Sequence, residues 1–520
     1  MKRVAIIGAG MGGLAAAIDL AVSGAKVTVV ERASAPGGKM RELTVGGRPI
    51  DSGPTVFTMR WVFEEMFANA GAALSDHLSL KQATVLARHS WEGSPESPQG
   101  LDLFADRAQS ADAIGQFAGA AEAHGYLAFC KEARRMYETL ERSFMATERP
   151  SLAGFVARVG VVRALRLKPY ELYMTELGRH FRDRRLRQLF GRYTTYCGTS
   201  PYQASAMLML VAHVEQEGVW LVDGGMQRVA DAMAALATRL GVTFRYDTAV
   251  SEIMVAAGRT TGVRMPGGDV IHADAVVMNG DPAALATGLL GRPAKDAGLP
   301  SHKFPTRSLS AATWSMVAEV TGLPLVRHNV FFSNDYPLEF KMIQNGLLPT
   351  APTVYICAQD RGDSDRSPGD GPPPAGPERL LLLVNAPPSG DRRAFSQVEI
   401  EQCMQGISGL LDLCGVQIRA TEPPVLTSPA QFHRMFPASG GALYGQATLP
   451  GNGSFRRSGA RTKLPGLYLA GGSVHPGAGV PMATLSGRIA AASIIQDLEP
   501  SRGSMRLFRP RVTPGGMSTR

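Results

Sequence analysis

A glycine-rich run near the start of the chain has the residue types and spacing of a dinucleotide-binding turn. Gly8-Ala9-Gly10-Met11-Gly12-Gly13 follows the short apolar stretch 4–7 and precedes a predicted helix over 14–23. In a βαβ unit, Gly8 permits the tight turn, Gly10 lets the backbone approach a pyrophosphate, and Gly13 allows close packing of helix on strand. The helix N-terminus would then direct its unpaired N–H groups at the diphosphate.

The residues that follow this turn indicate which dinucleotide binds. Glu31 ends the next predicted strand, 26–30, where a carboxylate would bind a ribose 2′-hydroxyl and would repel a 2′-phosphate, so NADP is disfavoured. A second glycine turn, Pro36-Gly37-Gly38-Lys39, comes directly afterwards. Nicotinamide dehydrogenases have no common need for such a turn, whereas flavoproteins of the glutathione-reductase-like class place it against an extended FAD. The pattern therefore favours FAD.

Two more stretches fit a flavin site. Asp51-Ser52-Gly53-Pro54-Thr55 is a close-approach loop that we expect beneath the isoalloxazine ring. Near the C-terminus, the apolar stretch 467–470 leads into Gly471-Gly472-Ser473 and a predicted helix over 483–498. The N-terminus of that helix would face the ribityl chain and the pyrimidine side of the ring, and would stabilise negative charge there.

Bulk properties describe a globular chain. Its 520 residues are enough for two or three domain-sized units, and 44% of them are hydrophobic. No stretch approaches the roughly 18 apolar residues of a membrane span. Lys2-Arg3 before an apolar run resembles a signal peptide, but Asp19 and the glycine spacing argue against one. Five scattered cysteines without a CxxC pattern indicate reduced thiols in a cytoplasmic protein, with neither a metal site nor a disulfide framework.

Positive charge is concentrated in residues 155–193, which carry +7 of the net charge of +9. Apolar residues alternate with the arginines throughout this segment. Nucleic acid is a conceivable partner, but no recognition motif accompanies the run. A solvated helix face remains open as an interpretation, whereas an interfacial segment on anionic lipid fits the mixture of basic and apolar residues better.

The order of patterns predicts an α/β protein with interleaved domains. A glutathione-reductase-like FAD-binding Rossmann domain is expected from the discontinuous ranges 1–88, 223–297 and 441–499. A mixed α+β substrate domain is expected from 89–222 and 298–440, and its first part would be helical and would face the membrane. Solvent loops are predicted at 90–99 and 364–377, and a disordered basic tail at 500–520.

These glycine turns, together with the closing run 468–481, resemble the bacterial phytoene-desaturase family of carotenoid oxidoreductases over nearly the whole chain. Three stretches, 328–337, 384–388 and 436–446, are most similar to the 1-hydroxycarotenoid 3,4-desaturase branch. Two departures stand out. Related amine oxidases carry an acidic residue where Ser473 stands, which argues against amine oxidase activity. Lys39 stands where arginine is common in the family, and a lysine keeps a phosphate contact but loses the bidentate geometry of arginine.

The resemblance implies FAD-dependent removal of two hydrogens from an acyclic hydroxylated or methoxylated carotenoid, with oxygen or a membrane quinone as electron acceptor. Candidates for a polar catalytic role are His475, Asp51 and Glu217, although the Pro476-Gly477 turn favours a structural role for His475. Cofactor contacts are expected from Gly8, Gly10, Met11, Gly12, Gly13, Glu31, Arg32, Gly37, Gly38, Lys39, Met40, Gly53, Pro54, Thr55, Val250, Gly471, Gly472, Gly479, Val480, Pro481 and Met482.

A polyene substrate dissolves in lipid, so a soluble enzyme must open its substrate tunnel onto the bilayer. We therefore expect a cytoplasmic protein that docks peripherally on the inner or intracytoplasmic membrane through residues 155–193. The alternatives are another flavoenzyme of the same family (a phytoene or neurosporene desaturase, an isomerase or an oxygen-inserting enzyme), an amine oxidase, a carotenoid carrier without activity, and a nicotinamide reductase.

Overall fold

A computed structural model describes residues 1–94, 97–298, 306–362, 374–451 and 453–498. Most of the predicted solvent loop 364–377 and all of the predicted tail 500–520 lie outside the described residues. The strands are β1 (Arg3–Ile7), β2 (Lys26–Val30), β3 (Glu42–Val45), β4 (Arg48–Asp51), β5 (Leu80–Gln82), β6 (Val85–Ser94), β7 (Ser97–Phe104), β8 (Trp220–Val222), β9 (Thr243–Arg245), β10 (Glu252–Ala256), β11 (Arg259–Arg264), β12 (Val270–His272), β13 (Ala275–Met278), β14 (Ser310–Gly322), β15 (His328–Phe331), β16 (Val354–Ala358), β17 (Glu378–Ala386), β18 (Val416–Ala420), β19 (Val425–Thr427) and β20 (Leu467–Leu469).

Helices occur along the whole described chain and are most frequent between β7 and β8. They are α1 (Met11–Val22), α2 (Arg60–Asn69), α3 (Arg107–Ala118), α4 (Ala120–Leu140), α5 (Leu152–Val159), α6 (Val161–Arg166), α7 (Tyr173–His180), α8 (Arg184–Gly191), α9 (Leu210–Glu217), α10 (Gln227–Arg239), α11 (Ala283–Ala286), α12 (Arg292–Gly298), α13 (Tyr336–Gln344), α14 (Gln397–Leu413), α15 (Pro429–Met435) and α16 (Val480–Leu498). Short 3₁₀ segments cover Leu74–Asp76, Arg192–Cys197, Ala206–Met209 and Gly453–Arg456, and a π-helical turn covers Glu141–Met145.

A parallel five-stranded sheet forms the first layer, in the order β20-β13-β1-β2-β9. Its central strand β1 pairs with β2 and with β13, and its residues Val4, Ala5 and Ile6 are buried. A strand with apolar residues on both faces suits a parallel sheet that is covered on both sides. The strands come from three separate stretches of sequence, so the sheet brings the N-terminal and C-terminal glycine turns to one edge.

Helices α1 and α16 pack directly on each other beside this sheet. Their contact is very close, because a Cβ added at Gly487 would lie 2.0 Å from the carbonyl oxygen of Gly12. The pair also buries an ion pair, in which Arg488 Nε lies 3.1 Å from Asp19 Oδ2. Both helices begin three residues earlier than their sequence patterns predict, so Gly12 and Gly13 belong to the first turn of α1.

The second layer is a mainly antiparallel eight-stranded sheet in the order β18-β14-β17-β16-β15-β6-β7, with β19 also paired to β14. Its strands β14, β16 and β17 share a buried apolar core with helix α14. The predicted solvent loop at 90–99 is wrong, since strands β6 and β7 run through this range and Trp91 is buried against Phe332. Serines and glycines masked the alternation of these strands.

Helices α3 to α9 pack mainly on one another, and they meet the second sheet where α3 packs on β7 and where Gln188 of α8 accepts from Trp91 Nε1. The basic segment 155–193 lies in this helical part. Within the described ranges, no helix is both long enough and apolar enough to cross a membrane. Part of the basic segment is core, since Phe155, Tyr173 and Leu177 are buried. Another part is surface, where helix α6 and the residues that follow it expose large apolar side chains.

Candidate active site

A cavity of about 800 Å³ lies between the two sheets. One end is bounded by the glycine turns and by the N-termini of α1 and α16, and the other by side chains of the second sheet and of the helices that cover it. Its volume is within the range of pockets that hold cofactors and substrates. Every predicted cofactor-contacting residue lines it except Gly13, at which an added Cβ would lie 2.1 Å from the Gly8 oxygen. Gly13 thus has the close-packing role that its spacing predicts.

The first two glycine turns contact each other directly. Gly10 and Gly37 pair as an isolated parallel bridge, and the Gly37 N–H donates to the Ala9 oxygen at 2.9 Å. A Cβ at Gly38 would lie 3.2 Å from the Gly10 Cα. Because Gly38 also has a φ of +63°, any larger residue there would be strained as well as crowded.

The C-terminal glycine turn meets the first one. A Cβ at Gly12 would lie 2.7 Å from the Gly471 nitrogen and 2.9 Å from Asn279 Oδ1. Asn279 Nδ2 donates to the Gly8 oxygen at 3.1 Å, so this side chain bridges the gap between strand β13 and the first turn. The three turns, which are distant in sequence, therefore converge in space.

Glu31 is buried directly after β2, at the position where the βαβ pattern places an acidic residue. Its Oε2 accepts from the Ala9 N–H at 2.6 Å and its Oε1 accepts from the Ala33 N–H at 2.8 Å. These bonds fix the carboxylate in the cavity wall beside the first glycine turn. A fixed carboxylate at the end of the second strand can accept the hydroxyls of a ribose.

Two basic side chains lie close to the glycine turns. Lys39 Nζ donates to the Leu443 oxygen at 2.5 Å, and burial lowers its pKa to about 8, which Asp281 opposes and Arg457 reinforces. Arg457, which the sequence analysis missed, is buried and donates to the oxygens of Tyr444 and Gly472 at 3.0 and 3.2 Å. Both cations are held by backbone carbonyls and line the cavity.

The three catalytic candidates from the sequence all lie outside the cavity wall. The Nε2–H of His475 donates to the oxygens of Phe144 and Thr147 at 3.0 Å, and burial lowers its pKa to about 4. This geometry gives the histidine a structural role in the loop that precedes α16. The catalytic roles that the resemblance implies for this histidine and for Asp51 and Glu217 stay predictions.

Asp51 and Glu217 each face other partners. Asp51 accepts from the backbone N–H groups of Met226 and Gln227 at 2.7 and 3.3 Å, so it holds the first turn of α10, and burial raises its pKa against these bonds. Glu217 ends α9, with its Oε1 3.6 Å from His213 Nε2.

A carboxylate that does line the cavity, at the end away from the glycine turns, is Glu215, two residues before Glu217 on the same helix. It is buried, and its Oε1 accepts from the Tyr193 hydroxyl at 2.5 Å. Burial raises the pKa of Glu215, and the bond from Tyr193 opposes that rise. Arg192 also lines the cavity and is therefore no part of the membrane-facing surface expected from 155–193.

Asn279 carried a signal that the sequence analysis did not use, whereas Arg192, Glu215 and Arg457 carried none. Asn279 directly follows a buried strand that neighbours β1, and ligands of parallel sheets bind at the carboxyl ends of such strands. The other three lie in ordinary charged stretches, and only the tertiary fold turns them inwards.

The residues present fit FAD. Two helix N-termini, three close glycine turns, a fixed carboxylate and two cations in the cavity wall are the donor and acceptor set for an elongated dinucleotide with a diphosphate. The family model for flavin-containing amine oxidoreductases matches residues 11–495. The chain belongs to this family. It is therefore a flavin-dependent oxidoreductase with FAD as its cofactor, as the glycine turns predict.

Characterised relatives place the chain more narrowly. It is 50% identical to the hydroxyneurosporene desaturase of Rubrivivax gelatinosus, over 100% of this chain and 97% of that protein. It is 44% identical to the hydroxyneurosporene desaturase of Cereibacter sphaeroides, over 96% of this chain and 98% of that protein. The 4,4'-diapolycopene oxygenase of Methylomonas sp is 29% identical to it, over 96% of this chain and 99% of that protein. The predicted membership of the phytoene-desaturase-type family is confirmed.

Solved structures support the fold. A putrescine oxidase variant with a redesigned cofactor site aligns with a TM-score of 0.58 at 14% identity, over 95% of this chain and 99% of that chain. An oxidoreductase from Methanosarcina mazei aligns with a TM-score of 0.58 at 14% identity, over 95% and 100%. The predicted flavoprotein fold of mixed α and β structure is confirmed at this level.

Proposed function

We propose that this protein removes two hydrogens from the C3–C4 bond of an acyclic carotenoid that carries a hydroxyl or methoxy group at C1. The observation that carries the proposal is the 50% identity, over the whole chain, to a hydroxyneurosporene desaturase. Relatives named for other carotenoid reactions, such as a zeta-carotene-forming phytoene desaturase and a 4,4'-diaponeurosporene oxygenase, are 30% and 27% identical.

The cavity suits a polyene because most of the side chains at its far end are apolar, with Arg192 and Glu215 as the charged ones. Helix α9 and the 3₁₀ segment before it contribute Met207, Leu208, Val211 and Val214 to the wall, and the second sheet contributes Leu383. Each CH₂-sized unit of the substrate that leaves water gains about 0.8 kcal/mol. An apolar chamber that continues into the cofactor cradle would hold an allylic carbon at the reacting position without any polar contact along the chain.

The chain's own residues would bind and orient both ligands. FAD, when bound, supplies the acceptor for the hydride that leaves an allylic carbon. The N-termini of helices α1 and α16, with Glu31, Lys39 and Arg457, would hold the cofactor, because all of them line the same end of the cavity. For the proton that leaves the adjacent carbon, we assign Glu215 as acceptor, because it lines the cavity and its raised pKa makes it a better base than a solvated carboxylate.

The test uses FAD-loaded protein in liposomes with 1-hydroxyneurosporene and, in a separate reaction, with phytoene. We expect the hydroxylated substrate to lose two hydrogens and to absorb at longer wavelength, and phytoene to be unchanged. An isomerase would leave the mass unchanged, an oxygenase would add oxygen, and a carrier would bind pigment without flavin reduction in the absence of air. Repeating the reaction anaerobically with and without a quinone identifies the electron acceptor.

We further propose that the protein docks on the membrane through helix α6 and the turn that follows it. Four apolar side chains are highly exposed within ten residues: Val161 (61%), Val162 (63%), Leu165 (66%) and Tyr170 (74%). Basic residues lie between them, which suits an anionic lipid surface. The patch adjoins the cavity wall, since Pro169 accepts a hydrogen bond from Gly451, three residues after the cavity-lining Thr448.

Two variants separate the apolar from the basic contribution to docking. Changing Val161, Val162 and Leu165 to serine removes side chains that would each gain about 1.5–3 kcal/mol on full burial, so sedimentation with anionic liposomes should fall more than tenfold. The second variant replaces Arg182, Arg184, Arg185 and Arg187 with serine. It should weaken sedimentation less, because these arginines lie outside the exposed apolar patch and Arg185 already pairs with Asp183. Unchanged sedimentation of both variants would refute docking by this face.

A further inference from the structure

Arg192 places a positive charge in the far part of the cavity, where Glu215, Tyr196 and Tyr355 are its polar neighbours in the wall. Its Nη1 donates to the Tyr196 hydroxyl at 2.7 Å. Its guanidinium lies over the rings of Tyr196 and Tyr355, 4.9 and 5.2 Å from their centroids. Stacking between two aromatic faces holds a guanidinium in one orientation.

The guanidinium has few polar partners in the protein. In the described part of the chain, no carboxylate oxygen lies within 4.0 Å of it, and the bond to Tyr196 is the one hydrogen bond that it makes. Glu215 accepts from the Tyr193 hydroxyl, and the charge of Arg192 lies close enough to oppose the rise of its pKa without a direct ion pair. A guanidinium has five N–H donors and no acceptor, and a charge in an apolar cavity without partners is costly. The remaining N–H groups therefore point to an acceptor on a ligand.

The position of Arg192 identifies which ligand this is. Tyr355, which stacks on Arg192, has its hydroxyl 2.7 Å from Thr55 Oγ1, at the end of the loop expected beneath the flavin ring. In a 1-oxygenated carotenoid, the oxygen on C1 lies only about 4 Å from the C3–C4 bond by ordinary bond lengths. A group that recognises this oxygen must therefore lie beside the reacting bond, which is where the chain of contacts through Thr55 and Tyr355 places Arg192.

We propose that Arg192 binds the oxygen on C1 of the substrate and so sets the preference for an oxygenated over a hydrocarbon end. This inference rests on the proposed function. A guanidinium donates and cannot accept, so it binds a hydroxyl oxygen and a methoxy oxygen alike, whereas a hydrocarbon end gives it no acceptor. Substrates with 1-hydroxy and 1-methoxy groups should therefore bind equally, and neurosporene should bind less tightly.

The first measurement needs no variant. Binding of 1-hydroxyneurosporene, its 1-methoxy ether and neurosporene to the FAD-loaded protein in liposomes is followed by the shift in carotenoid absorption under anaerobic conditions. We expect similar Kd values for the two oxygenated compounds and a Kd at least tenfold higher for neurosporene. A Kd for the methoxy ether as high as that of neurosporene would overturn the assignment, because it would indicate an acceptor rather than a donor at C1.

Substitution of Arg192 is the second measurement. Arg192→Met should lower kcat/KM for 1-hydroxyneurosporene about ten- to a hundredfold through the loss of a charge-assisted hydrogen bond. It should leave neurosporene binding unchanged or improved, while Arg192→Lys retains part of the preference. Tyr196→Phe, which removes the bond that orients the guanidinium, should give a smaller loss in the same direction.

The possible outcomes distinguish a failure of this inference from a failure of the proposed function. Equal losses of kcat/KM for oxygenated and hydrocarbon substrates in the Arg192 variants would overturn it. A loss of bound FAD, or a shifted flavin potential, with an unchanged preference between the two kinds of substrate would also overturn it, because either result would indicate that Arg192 contacts the cofactor. If the unmodified enzyme oxidises none of the three compounds at C3–C4 but binds the oxygenated ones more tightly, the proposed function fails while the recognition of the oxygen stands.

Discussion

The close contact between α1 and α16 predicts that a single methyl group at Gly487 will weaken FAD binding. The Cβ of Gly487→Ala would lie 2.0 Å from the Gly12 oxygen and 3.0 Å from the Ala15 Cβ, whereas ordinary contacts begin at 3.4 Å. The helices must then separate by more than an ångström. Since the Gly12 oxygen belongs to backbone, no side-chain rotation can relieve the contact.

The magnitude follows from what the separation disturbs. Overpacking a well-packed core costs about 1–3 kcal/mol. Both helices direct their N-termini into the cofactor end of the cavity. If FAD binds only when the helices are at their original separation, binding must supply the free energy of this overpacking. At 1.4 kcal/mol for each factor of ten, the Kd for FAD should rise about five- to a hundredfold. The assay is titration of the FAD-free protein with FAD, followed by flavin fluorescence, together with urea unfolding.

Two glycines of helix α14 give matched controls. A Cβ at Gly406 would lie 1.9 Å from the Thr350 oxygen, an equal clash far from the cofactor, and a Cβ at Gly409 would meet nothing within 4 Å. Gly406→Ala should lower the free energy of unfolding without changing the Kd for FAD. Gly409→Ala should be neutral or stabilising by about 0.5–1 kcal/mol. A wild-type Kd for Gly487→Ala, or an equal loss of FAD affinity in Gly406→Ala, would refute the reasoning.

Two buried carboxylates that pair with basic side chains give further predictions. Asp19→Asn removes the nearer of the two carboxylates beside the fully buried Arg488 guanidinium, so the free energy of unfolding measured in urea titrations should fall by about 3–5 kcal/mol. The double variant Asp19→Leu with Arg488→Met should recover most of this loss. An equal loss in both variants would contradict this account. Glu176 accepts from Lys168 and Arg179 at 2.5 Å; burial raises its pKa, but these cations and His180 together lower it to about 2. A depressed carboxylate pKa stabilises the fold above the ordinary value of 4.5 and loses that contribution as the pH falls towards 2, so the stability difference between wild type and Glu176→Gln should shrink over this acid range and not above pH 6.

The cofactor end of the cavity could be predicted from sequence because local geometry determines it. Gly10, Gly37 and Gly471 each lie in a turn that the chain itself forms, and their function requires only that backbone approach backbone. Glu31 is equally local, since it follows the strand that positions it. The convergence of turns hundreds of residues apart was predicted through the family resemblance, and the sheet order β20-β13-β1-β2 provides its physical basis.

The substrate end could not be predicted in the same way. Glu215 and Glu217 are two residues apart on α9, and helical geometry directs them to different sides, so only the packing of that helix decides which of them meets the cavity. Arg192 is the last of the ten basic residues in the segment 155–193, and the composition of that segment led to its assignment to the membrane-facing surface. The strands β6 and β7 escaped detection because polar residues interrupt their alternation.

Arg192 differs from the charged residues at the cofactor end of the cavity in how many hydrogen bonds it makes to the protein. At the cofactor end, Glu31 accepts from two backbone N–H groups, Lys39 donates to one carbonyl, and Arg457 donates to three. These bonds fix each ion before any ligand binds, as preorganised electrostatics require. Arg192 is fixed by ring stacking and a single hydroxyl, which leaves most of its donors uncommitted. Because the cost of burying those donors is offset only when an acceptor arrives, selectivity for an oxygenated substrate follows from the same physics that makes an unpaired buried charge rare.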